Sequence, residues 1–600
     1  MYQPYWRDAS SRTPPSLNLS ATFIRTLTTT ITLHTLHVPV ASGGSRPRHW
    51  GRTMAEPISG STSVKTARLD PAPYSHPEFY RPPLFYPDVP FHEMLARTAL
   101  RVPERPAIYW HDTMITYREL YALVRSAAAA LHALGLRKGD RVCLLMPNRP
   151  EYSIAWVAGS MLGLVLSPMN PSYKEREIAY QLENSEARAI IVQRDLLPSV
   201  LEVRTSAPHL QHILVTGSQD VPGHPDILPF GALVRNFSPV RVPPVDVRAH
   251  DLLALPYSSG TTGLPKGVLL THRNLVVNYH QFISAARVTE QDVFLVFLPL
   301  YHIYGVALLG QATFSGAALV LMERFQPDEA FALIRRHGVT ILPVVPPVLL
   351  GFSAMANLSR DLFRNVRHIL CAAAPMAPAP AEKVTEMTGV PVLQAYGMTE
   401  ASPLTHHSPL DPDKIRLASG GTPVSDTEQK VVNLETGAVV APGEIGEICV
   451  RGPQVMRGYW QAEAETARVL RDGWYHTGDV GYVDEQGYVY IVDRAKEMIK
   501  YKGFGIAPAE LEAVLVEHPA VTEAAVIGWP DPEAGEHPRA YVMLAQGAQT
   551  TGEDLMAFAN GKLAHYKAIR EVIFTQSIPK TASGKILRRE LKAQSGLDQG

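Results

Sequence analysis

The stretch from Tyr257 to Gly267 limits the fold more than any other part of the chain, because it holds three glycines and four Ser or Thr hydroxyls in eleven residues. An apolar run, Leu252 to Leu255, precedes it, and Val268 to Val277 continues as a strand and then a helix. Glycine lets backbone N–H groups approach a bound anion, while hydroxyls and one ammonium add further donors. We therefore predict a phosphate-binding loop between two strands, with a Gly-rich surface turn as the alternative.

The loop departs from the P-loop sequence, in which a glycine five residues after the first is followed by Lys and then Ser or Thr. Here Pro265 holds that glycine's position, and Gly267 follows Lys266. The order of residues instead resembles the phosphate loop of the adenylate-forming superfamily, which includes acyl-CoA synthetases, coumarate–CoA ligases, luciferases and peptide-synthetase adenylation domains. The resemblance assigns ATP phosphate binding to seven residues: Ser258, Ser259, Gly260, Thr261, Thr262, Gly263 and Lys266.

The charge balance argues against a general nucleic-acid binder, because 56 basic residues face 57 acidic ones. Six hundred residues exceed what one hydrophobic core usually holds, so two or more domains are expected. Cys143, Cys371 and Cys449 stand in apolar, strand-like surroundings without metal-binding spacing, which favours buried free thiols in a reducing compartment. We expect a cytoplasmic monomer or homodimer with at most peripheral membrane contact.

Two apolar stretches raise the question of a membrane span. Val293 to Met322 contains no Lys, Arg, Asp or Glu, and Gly338 to Leu358 is similar. Both are interrupted by proline, glycine or polar residues, whereas a spanning helix needs about twenty continuous apolar residues. Buried strands and core helices of a large α/β domain are the better prediction.

The first residues differ in composition from the rest. Residues 1–53 hold six Arg, no Lys and one acid, which is typical of an organellar transit peptide. An alternative is that the chain starts at Met54, or that the stretch is disordered. We treat residues 1–80 as a disordered or wrongly assigned extension and predict no fold for them.

The apolar spacing predicts a helix over Phe91 to Arg101. Strand and helix patterns alternate from there onward, which predicts crossover units and parallel sheets. The predicted fold class is α/β, with a large N-terminal domain of mixed and parallel sheets over residues 81–495. A hinge joins it to a small C-terminal α+β domain over 496–594, followed by a tail at 595–600. In this small domain we predict a helix over Pro508 to Glu517 and strands over Ala524 to Gly528 and Arg539 to Ala545.

The segment Gln394 to Glu400 joins an aromatic, a hydroxyl and a carboxylate in one short turn. An aromatic can stack on adenine, a hydroxyl can donate to a phosphate, and a carboxylate can hold Mg²⁺. The resemblance assigns these roles to Tyr396, Thr399 and Glu400, with Gly397 beside the nucleotide. Alone, the segment passes for a turn into a helix.

His302 lies in the apolar segment Leu298 to Gly305, where a lone histidine is more often a packed core residue than a catalytic one. The resemblance places this turn beside the pocket for the acyl carboxylate. No acid stands between Val293 and Met322, which disfavours an amino-acid substrate because a buried ammonium would lack a partner. In Cys371 to Met376, which resembles a segment lining the adenine and acyl pocket, Ala373 is the assigned contact.

Later motifs complete the predicted site. The resemblance implies that Asp479 binds the ribose hydroxyls and that Arg494 contacts the ribose or a phosphate. It also implies that Lys496 lies at the hinge. A basic run near a C-terminus is usually a solvated face, yet Lys585 resembles the family's catalytic lysine, whose ammonium neutralises charge on the α-phosphate. Three residues near the hinge are assigned to the nucleotide and thiol substrates: Lys500, Lys502 and Gly503.

The resemblance implies an acid–thiol ligase that uses ATP, Mg²⁺ and coenzyme A. A carboxylate would attack the α-phosphorus of ATP to give an acyl-adenylate and pyrophosphate, and the thiol would then displace AMP. The apolar lining between His302 and Pro347 favours a medium- or long-chain fatty acid. The alternatives are an aryl-propenoate (coumarate-like) ligase, a luciferase-like oxidation of the adenylate, and a catalytically silent scaffold.

Overall fold

A computed structural model of the chain describes residues 81–217, 224–258, 265–355, 358–374, 376–501, 504–531, 533–581 and 584–595. Within them the chain forms four β-sheets and fifteen α-helices. The predicted N-terminal extension and all but the first residue of the predicted tail lie outside this part of the chain.

The first sheet has nine strands, and its middle is parallel. Antiparallel strands extend the sheet at both ends, two at one end and one at the other. In spatial order its strands are Thr422–Pro423, Leu404–His407, Val392–Gly397, His368–Cys371, Ile341–Val344, Val293–Val296, Ala318–Leu321, Pro106–Trp110 and Thr113–Thr116.

The second sheet also has nine strands, and six consecutive ones are joined by parallel pairing. At one end of the sheet the pairing is antiparallel, and the strands that pair there lie before and after the predicted phosphate loop in the sequence. Its main path is Gly458–Tyr459, Lys266–Thr271, Leu252–Ala254, Val165–Met169, Arg141–Leu145, Ala189–Gln193, His212–Thr216 and Ile227–Pro229, and Tyr257–Ser258 pairs with Lys266–Thr271.

Two smaller sheets follow in the chain. The third is antiparallel and comprises Glu428–Val432, Gly446–Arg451, Leu470–Arg471, Trp474–Val483 and Val489–Arg494. The fourth belongs to the small C-terminal domain and comprises Ile499–Tyr501, Phe504–Ile506, Val521–Asp531, Gly535–Leu544 and Glu571–Phe574. The predicted boundary between residues 495 and 496 falls between these two sheets.

The helices connect the strands and cover the sheets. Several begin at a side-chain cap: Thr271, for example, accepts a hydrogen bond from the backbone of Asn274, whose side chain accepts one from Thr271 in return. The helices are Phe91–Arg101, Tyr117–Ala133, Pro150–Leu162, Glu175–Asn184, Leu197–Glu202, Phe230–Asn236, His272–Ala286, Ile303–Ser315, Pro327–His337, Pro346–Ala354, Pro378–Thr388, Glu463–Val469, Pro508–Val516, Gly552–Asn560 and Arg588–Gln594.

Two helices are buried over nearly their whole length, and one of them, Ile303–Ser315, lies within the apolar stretch Val293 to Met322. Pro150–Leu162 and Ile303–Ser315 each leave one residue outside the buried set. Both join the single large core that the two nine-stranded sheets share. A helix that is apolar on all sides must be buried on all sides. None of the helices in the described part of the chain combines the length and apolarity that a bilayer crossing needs.

The carboxyl ends of the parallel strands of both large sheets meet at Asn148, which follows the strand Arg141–Leu145. Its side-chain amide donates to the carbonyls of Val296 and Leu298 at 3.2 and 2.9 Å and accepts from the backbone of Leu300 at 2.7 Å. Asn148 is 1% exposed, so losing these bonds would leave buried polar groups unpaired. Strand ends of the two sheets are therefore neighbours here, and the carboxyl ends of parallel strands are the usual position for a ligand site in α/β folds.

The predicted α/β class with a large and a small domain is confirmed. The helix predicted over Phe91 to Arg101 has those bounds, and the helix predicted over Pro508 to Glu517 ends one residue earlier. The predicted strands of the small domain are longer than expected, because Val521–Asp531 and Gly535–Leu544 form one hairpin. All three cysteines are buried and free, as predicted.

Candidate active site

Parallel strands of the first sheet bring three of the candidate residues to one edge. Tyr396 lies at the end of Val392–Gly397, and Ala373 follows the neighbouring strand His368–Cys371. His302 follows Val293–Val296, two strands farther along. These three residues, which lie up to 94 positions apart in the sequence, therefore line one edge, because parallel strands end on the same side.

The Tyr396 hydroxyl donates a 2.6 Å hydrogen bond to Asp479, which belongs to the third sheet. Arg494 approaches the other Asp479 oxygen at 2.5 Å from the adjacent strand, where the two residues are direct antiparallel partners. Asp479 is 4% exposed and carries a charge, so a partner is required. Burial and the neighbouring carboxylate raise the pKa of Tyr396 far above its usual value, so this phenol stays protonated and donates.

Glu447 holds the turn that carries Asp479. Its carboxylate accepts a hydrogen bond from the backbone of Gly478 at 3.0 Å and lies 2.8 Å from Nδ1 of His476. Gly478 has a φ of +72°, a left-handed conformation that favours glycine. The Glu447 carboxylate therefore fixes the backbone immediately before Asp479.

Glu447, Cys449 and His476 are close enough to one another to suggest a metal site, with their ligand atoms within 4.8 Å. The contacts argue for a hydrogen-bonded cluster instead. Both Glu447 oxygens already have partners, and the Arg471 guanidinium lies 3.7 Å away, where it would repel a cation. Burial raises the pKa of the Cys449 thiol to about 12, which disfavours the thiolate that a metal requires.

Glu400 is the carboxylate that could hold Mg²⁺. It lies in the 3₁₀ turn Thr399–Ala401, is 8% exposed, and accepts a 3.0 Å hydrogen bond from the Tyr459 hydroxyl. Within the described residues its second oxygen has no hydrogen-bond donor. A buried carboxylate with one oxygen available fits Mg²⁺, which prefers oxygen ligands. Thr399 lies in the same turn, half-buried.

Lys266 follows the predicted phosphate loop and begins the strand Lys266–Thr271. Its ammonium lies 2.5 Å from Glu465 and 5.7 Å from the centre of the Tyr459 ring. Ser258 ends the strand before the loop. The other five predicted loop residues lie outside the described part of the chain: Ser259, Gly260, Thr261, Thr262 and Gly263.

His302 caps the helix Ile303–Ser315, and its Nδ1 accepts a 3.2 Å hydrogen bond from the backbone of Tyr304. Burial lowers the pKa of His302 to about 4, so the imidazole is neutral at pH 7. An accepting Nδ1 places the single proton on Nε2, which is then a donor. Gly305 lets the helix start against the preceding turn, because a Cβ there would meet the Pro299 carbonyl at 2.1 Å.

Ala373 adopts a φ of +77°, a conformation that costs a non-glycine residue about 1–3 kcal/mol. It is exposed at the sheet edge, next to the strand that ends at Tyr396. Strain of this kind persists where the surrounding structure holds the backbone. The left-handed turn keeps the chain close to the edge on which the other candidate residues lie.

Lys585 enters the site from the small domain. Its preceding residue, Gly584, has a φ of +84°, and a Cβ there would lie 2.5 Å from Pro347 at the first sheet's edge. Burial lowers the pKa of Lys585, and the positive charge of Arg494 lowers it further, whereas the charges of Glu497 and Asp479 act in the opposite direction. The ammonium is therefore half-buried and within electrostatic range of the Asp479–Arg494 pair.

The predicted hinge and thiol residues are less enclosed. Lys496 and Lys500 are both exposed, and the backbone of Lys500 donates to Glu536 at 2.8 Å. Burial and the positive charges of Arg468 and Lys266 lower the pKa of Lys496. The remaining two predictions of this group, Lys502 and Gly503, lie outside the described residues.

Several contacts of the site were not expected from the sequence. The sequence alone assigned no role to Tyr459, which donates a hydrogen bond to Glu400. Glu465, Glu447 and Asn148 had no motif that pointed to them. Tyr459 contacts Glu400 and Glu465 contacts Lys266, and both pairs are distant in sequence. Only the order of the strands could have identified these contacts.

The chain matches two family descriptions. Residues 95–460 match the AMP-binding enzyme family, and residues 510–585 match the AMP-binding enzyme C-terminal domain. Among curated relatives, 4-coumarate–CoA ligase 4 of Arabidopsis thaliana is 39% identical over 492 residues, covering 80% of this chain and 86% of the relative. 4-Coumarate–CoA ligase CCL1 of Humulus lupulus is 36% identical and covers 86% of this chain and 96% of the relative.

Solved structures of two enzymes resemble the fold closely. An anthranilate CoA ligase, AuaEII, in complex with anthranoyl-AMP has a TM-score of 0.78 at 28% identity and covers 86% of this chain and 98% of its own. The o-succinylbenzoate coenzyme A synthetase MenE of Bacillus subtilis, in complex with ATP and magnesium ion, has a TM-score of 0.73 at 31% identity, with coverage of 83% and 99%.

Proposed function

This chain belongs to the AMP-binding enzyme family and is an AMP-forming acid–CoA ligase, and we propose that the acid it activates is an aryl-propenoate or a closely related aryl carboxylate. ATP and coenzyme A are its substrates. In the first half-reaction the carboxylate attacks the α-phosphorus and pyrophosphate leaves. In the second, the thiol of coenzyme A attacks the acyl carbon and AMP leaves.

The nucleotide end of the site is the cluster around Asp479. The Asp479 carboxylate can accept both vicinal hydroxyls of the ribose, as carboxylates do in other nucleotide sites. Tyr396 and Arg494 hold that carboxylate from two directions, so it is oriented before the nucleotide arrives. The Tyr396 ring is available to stack on adenine. Thr399, in the adjacent turn, can donate its hydroxyl to the α-phosphate.

Lys585 is the residue proposed to stabilise the transition state of adenylation. Its ammonium can neutralise charge on the α-phosphate as the carboxylate attacks. The half-buried position beside Arg494 supports this role, because an ammonium shielded from water interacts more strongly with a phosphate. Bound Mg²⁺ would supply further charge neutralisation of the triphosphate, with Glu400 as its protein ligand.

The acid is proposed to lie along the carboxyl edge of the first sheet. The Nε2 donor of His302 can hold the acid's carboxylate beside Ala373, and the tail can extend toward Phe325. Phe297 and Phe325 follow two adjacent strands at this edge and have ring centres 4.7 Å apart, and Phe352 of the helix Pro346–Ala354 has its ring centre 5.8 Å from that of Phe325. A flat aryl ring would contact this row edge-to-face or offset-stacked.

The proposal of an aryl acid depends on this row of phenylalanines. The row lies at one end of the sheet edge, and the nucleotide cluster lies at the other. The names of the curated relatives, which are 4-coumarate–CoA ligases, support the same class of acid. The sequence alone had favoured a medium- or long-chain fatty acid, and the comparisons do not support that preference. A fatty acid remains the second candidate because the lining is apolar.

The thiol half-reaction is proposed to use the face around the fourth sheet. Lys500, with Lys502 and Gly503 beside it in the sequence, is the candidate entry point for the thiol. Lys496 stands between the third and fourth sheets, where a hinge would turn the small domain between half-reactions.

The proposal is tested by measuring AMP release with Mg²⁺, ATP and coenzyme A over a panel of acids. The panel contains 4-coumarate, cinnamate, benzoate, octanoate and oleate. We expect a kcat/KM for 4-coumarate or cinnamate at least tenfold above that for octanoate and oleate. A preference for either fatty acid would replace the aryl proposal with the second candidate, and AMP formation independent of coenzyme A would indicate a different acyl acceptor.

Two single-residue variants test where the acid binds. Phe325→Ala should raise the KM for the aryl acid by about tenfold, because a buried aromatic contact contributes about 1.5 kcal/mol at most beyond its area. Phe85→Ala is the matched control, since Phe85 is 89% exposed. An unchanged KM in Phe325→Ala would place the aryl tail elsewhere.

A further inference from the structure

The Lys266 ammonium has a resident counter-ion in the protein itself. It lies 2.5 Å from Oε2 of Glu465, and the Arg468 guanidinium approaches the same oxygen at 2.8 Å. The Lys266 and Glu465 side chains are 22% and 35% exposed, so the pair is only partly screened by water. Glu465 lies in the helix Glu463–Val469, 199 positions away from Lys266.

The backbone holds this pair in place. The strand Lys266–Thr271 pairs with Gly458–Tyr459, and the backbone of Trp460 donates to the carbonyl of Gly267 at 2.8 Å. Thr466 then ties the helix to that strand, because its hydroxyl accepts from the backbone of Tyr459 at 2.9 Å. Glu465 therefore reaches Lys266 as a consequence of sheet pairing and a fixed helix.

Positive charge exceeds negative charge at this point of the structure. Three cations, Lys266, Arg468 and Lys496, interact with the single carboxylate of Glu465. The hydrogen bond from Lys266 is the main reason that the pKa of Glu465 is lowered, so the carboxylate stays ionised. A polyphosphate is attracted to the cations, but it must compete with Glu465 for Lys266.

We propose that Glu465 is a specificity-determining residue, which competes with the β- and γ-phosphates of ATP for the Lys266 ammonium and thereby sets the affinity for polyphosphate. The proposal rests on the proposed ligase function and on the role that the resemblance implies for Lys266, which is the binding of ATP phosphate. A triphosphate that reaches Lys266 must break the pair. AMP, which ends at its α-phosphate, leaves the pair intact, so the pair should not change the affinity for AMP.

The size of the effect follows from the exposure of the pair. Partly exposed ion pairs change an equilibrium by about twofold to fivefold. Removing the Glu465 charge should therefore tighten the binding of ATP by about that factor. This direction is unusual for a substitution in an active site, because a merely structural role of Glu465 would predict weaker binding.

The experiment compares Glu465→Gln with wild type by calorimetric binding of α,β-methylene-ATP with Mg²⁺ and, separately, of AMP. Glu463→Gln is the matched control, since Glu463 is exposed in the same helix and its substitution removes the same charge. A third comparison introduces Glu465→Gln into a Lys266→Met background. Glu465→Ala repeats the measurement in case the glutamine amide itself bonds Lys266.

The proposal expects tighter binding of the ATP analogue in both Glu465 variants, unchanged AMP binding, no change in Glu463→Gln, and a lost effect in the Lys266→Met background. It is overturned if the analogue binds equally or more weakly, if AMP tightens by the same factor, or if Glu463→Gln has the same effect. If the wild-type protein binds no analogue and releases no AMP with any acid, the proposed ligase function is contradicted as well. If the wild-type protein turns over but Glu465→Gln does not bind the analogue more tightly, only this inference is contradicted.

Discussion

The hydroxyl of Tyr396 donates a 2.6 Å hydrogen bond to Asp479, although the two residues are 83 positions apart and belong to different sheets. The bond joins the edge of the parallel first sheet to the antiparallel third sheet. It orients the Asp479 carboxylate and holds the Tyr396 ring half-buried at the end of its strand. The proposed adenine and ribose contacts are therefore set by one interaction between two sheets.

Removing this hydroxyl should weaken nucleotide binding and leave the fold intact. We expect Tyr396→Phe to raise the KM for ATP by about tenfold, because a hydrogen bond to a charged group contributes about 1.5–3 kcal/mol. Asp479→Asn should be more severe, since it also leaves Arg494 without its charged partner. Steady-state kinetics with saturating acid measures both variants. An ATP KM unchanged in Tyr396→Phe would contradict the orienting role.

Lys585 should be required for one half-reaction only. We expect Lys585→Ala to lower the rate of acyl-adenylate formation by a factor of 100 or more, about the size of losing one preorganised donor. The rate at which supplied acyl-adenylate is converted to acyl-CoA should change little. ATP–pyrophosphate exchange and thioester formation measure the two steps separately.

Lys580 offers the control for this substitution, because it lies in the same loop but pairs with Glu523 at 2.8 Å. Lys580→Ala should retain adenylation within about threefold, the usual cost of an exposed ion pair. Equal loss of both half-reactions in Lys585→Ala would mean that the substitution disturbs the small domain and not the α-phosphate.

Buried neutral histidines should make the protein acid-sensitive. Burial lowers the pKa of four of them from 6.5 to about 4: His92, His302, His368 and His406. Between these values the unfolded chain binds protons that the folded chain excludes, so the free energy of unfolding falls as the pH falls through 6.5. Each imidazole contributes up to about 1.4 kcal/mol per pH unit.

Thermal denaturation between pH 7.5 and 4.5 measures this dependence. The melting temperature should fall steadily below pH 6.5, and His406→Gln should reduce the pH slope by up to one proton. A melting temperature that is constant from pH 6.5 to pH 5 would show that these imidazoles are accessible to protons in the folded protein.

The small domain should depend on Arg588. Its guanidinium bonds both Glu512 oxygens, at 2.7 and 2.8 Å, and contacts Glu497 and the carbonyl of Val526. The side chains of Arg588 and Glu512 are 11% and 12% exposed, so Arg588→Ala leaves a buried carboxylate without its partner. We expect a loss of about 3–5 kcal/mol in stability.

Hydrogen–deuterium exchange of the strand Val521–Asp531 measures this loss in the full chain. Arg589→Ala is the matched control, because Arg589 is the next residue and is exposed. Exchange that accelerates equally in both variants would contradict the role given to the Arg588 cluster.

The sequence predicted the elements whose pattern is local. The helix Phe91–Arg101 was predicted with its bounds because its apolar spacing is complete within eleven residues. Val521–Asp531 was predicted too short, since Trp529, Pro530 and Asp531 have the composition of a turn and become a strand only through pairing with Gly535–Leu544. The helix Glu463–Val469 was not predicted, because it has seven residues and none of them is buried.

The candidate site could be predicted as a set of residues but not as a set of contacts. Asp479 and Arg494 were both assigned to the nucleotide, yet their 2.5 Å pairing follows from the register of two strands. The pair formed by Lys266 and Glu465 depends on which strands of the second sheet are neighbours. Motifs give the chemistry of each residue, whereas the order of strands decides which charges meet.

The parallel first sheet has a consequence for changing the substrate. Neighbouring strands are about 4.8 Å apart, so the four steps from the strand of Tyr396 to the strand before Phe325 span about 19 Å. In the proposed orientation each strand end along this edge would face a different position along the length of the bound acid. The spacing of the strands then sets the length of the acid that fits. A larger or smaller side chain at one strand end would shorten or lengthen the accepted acid by about one strand spacing, which is about 4.8 Å.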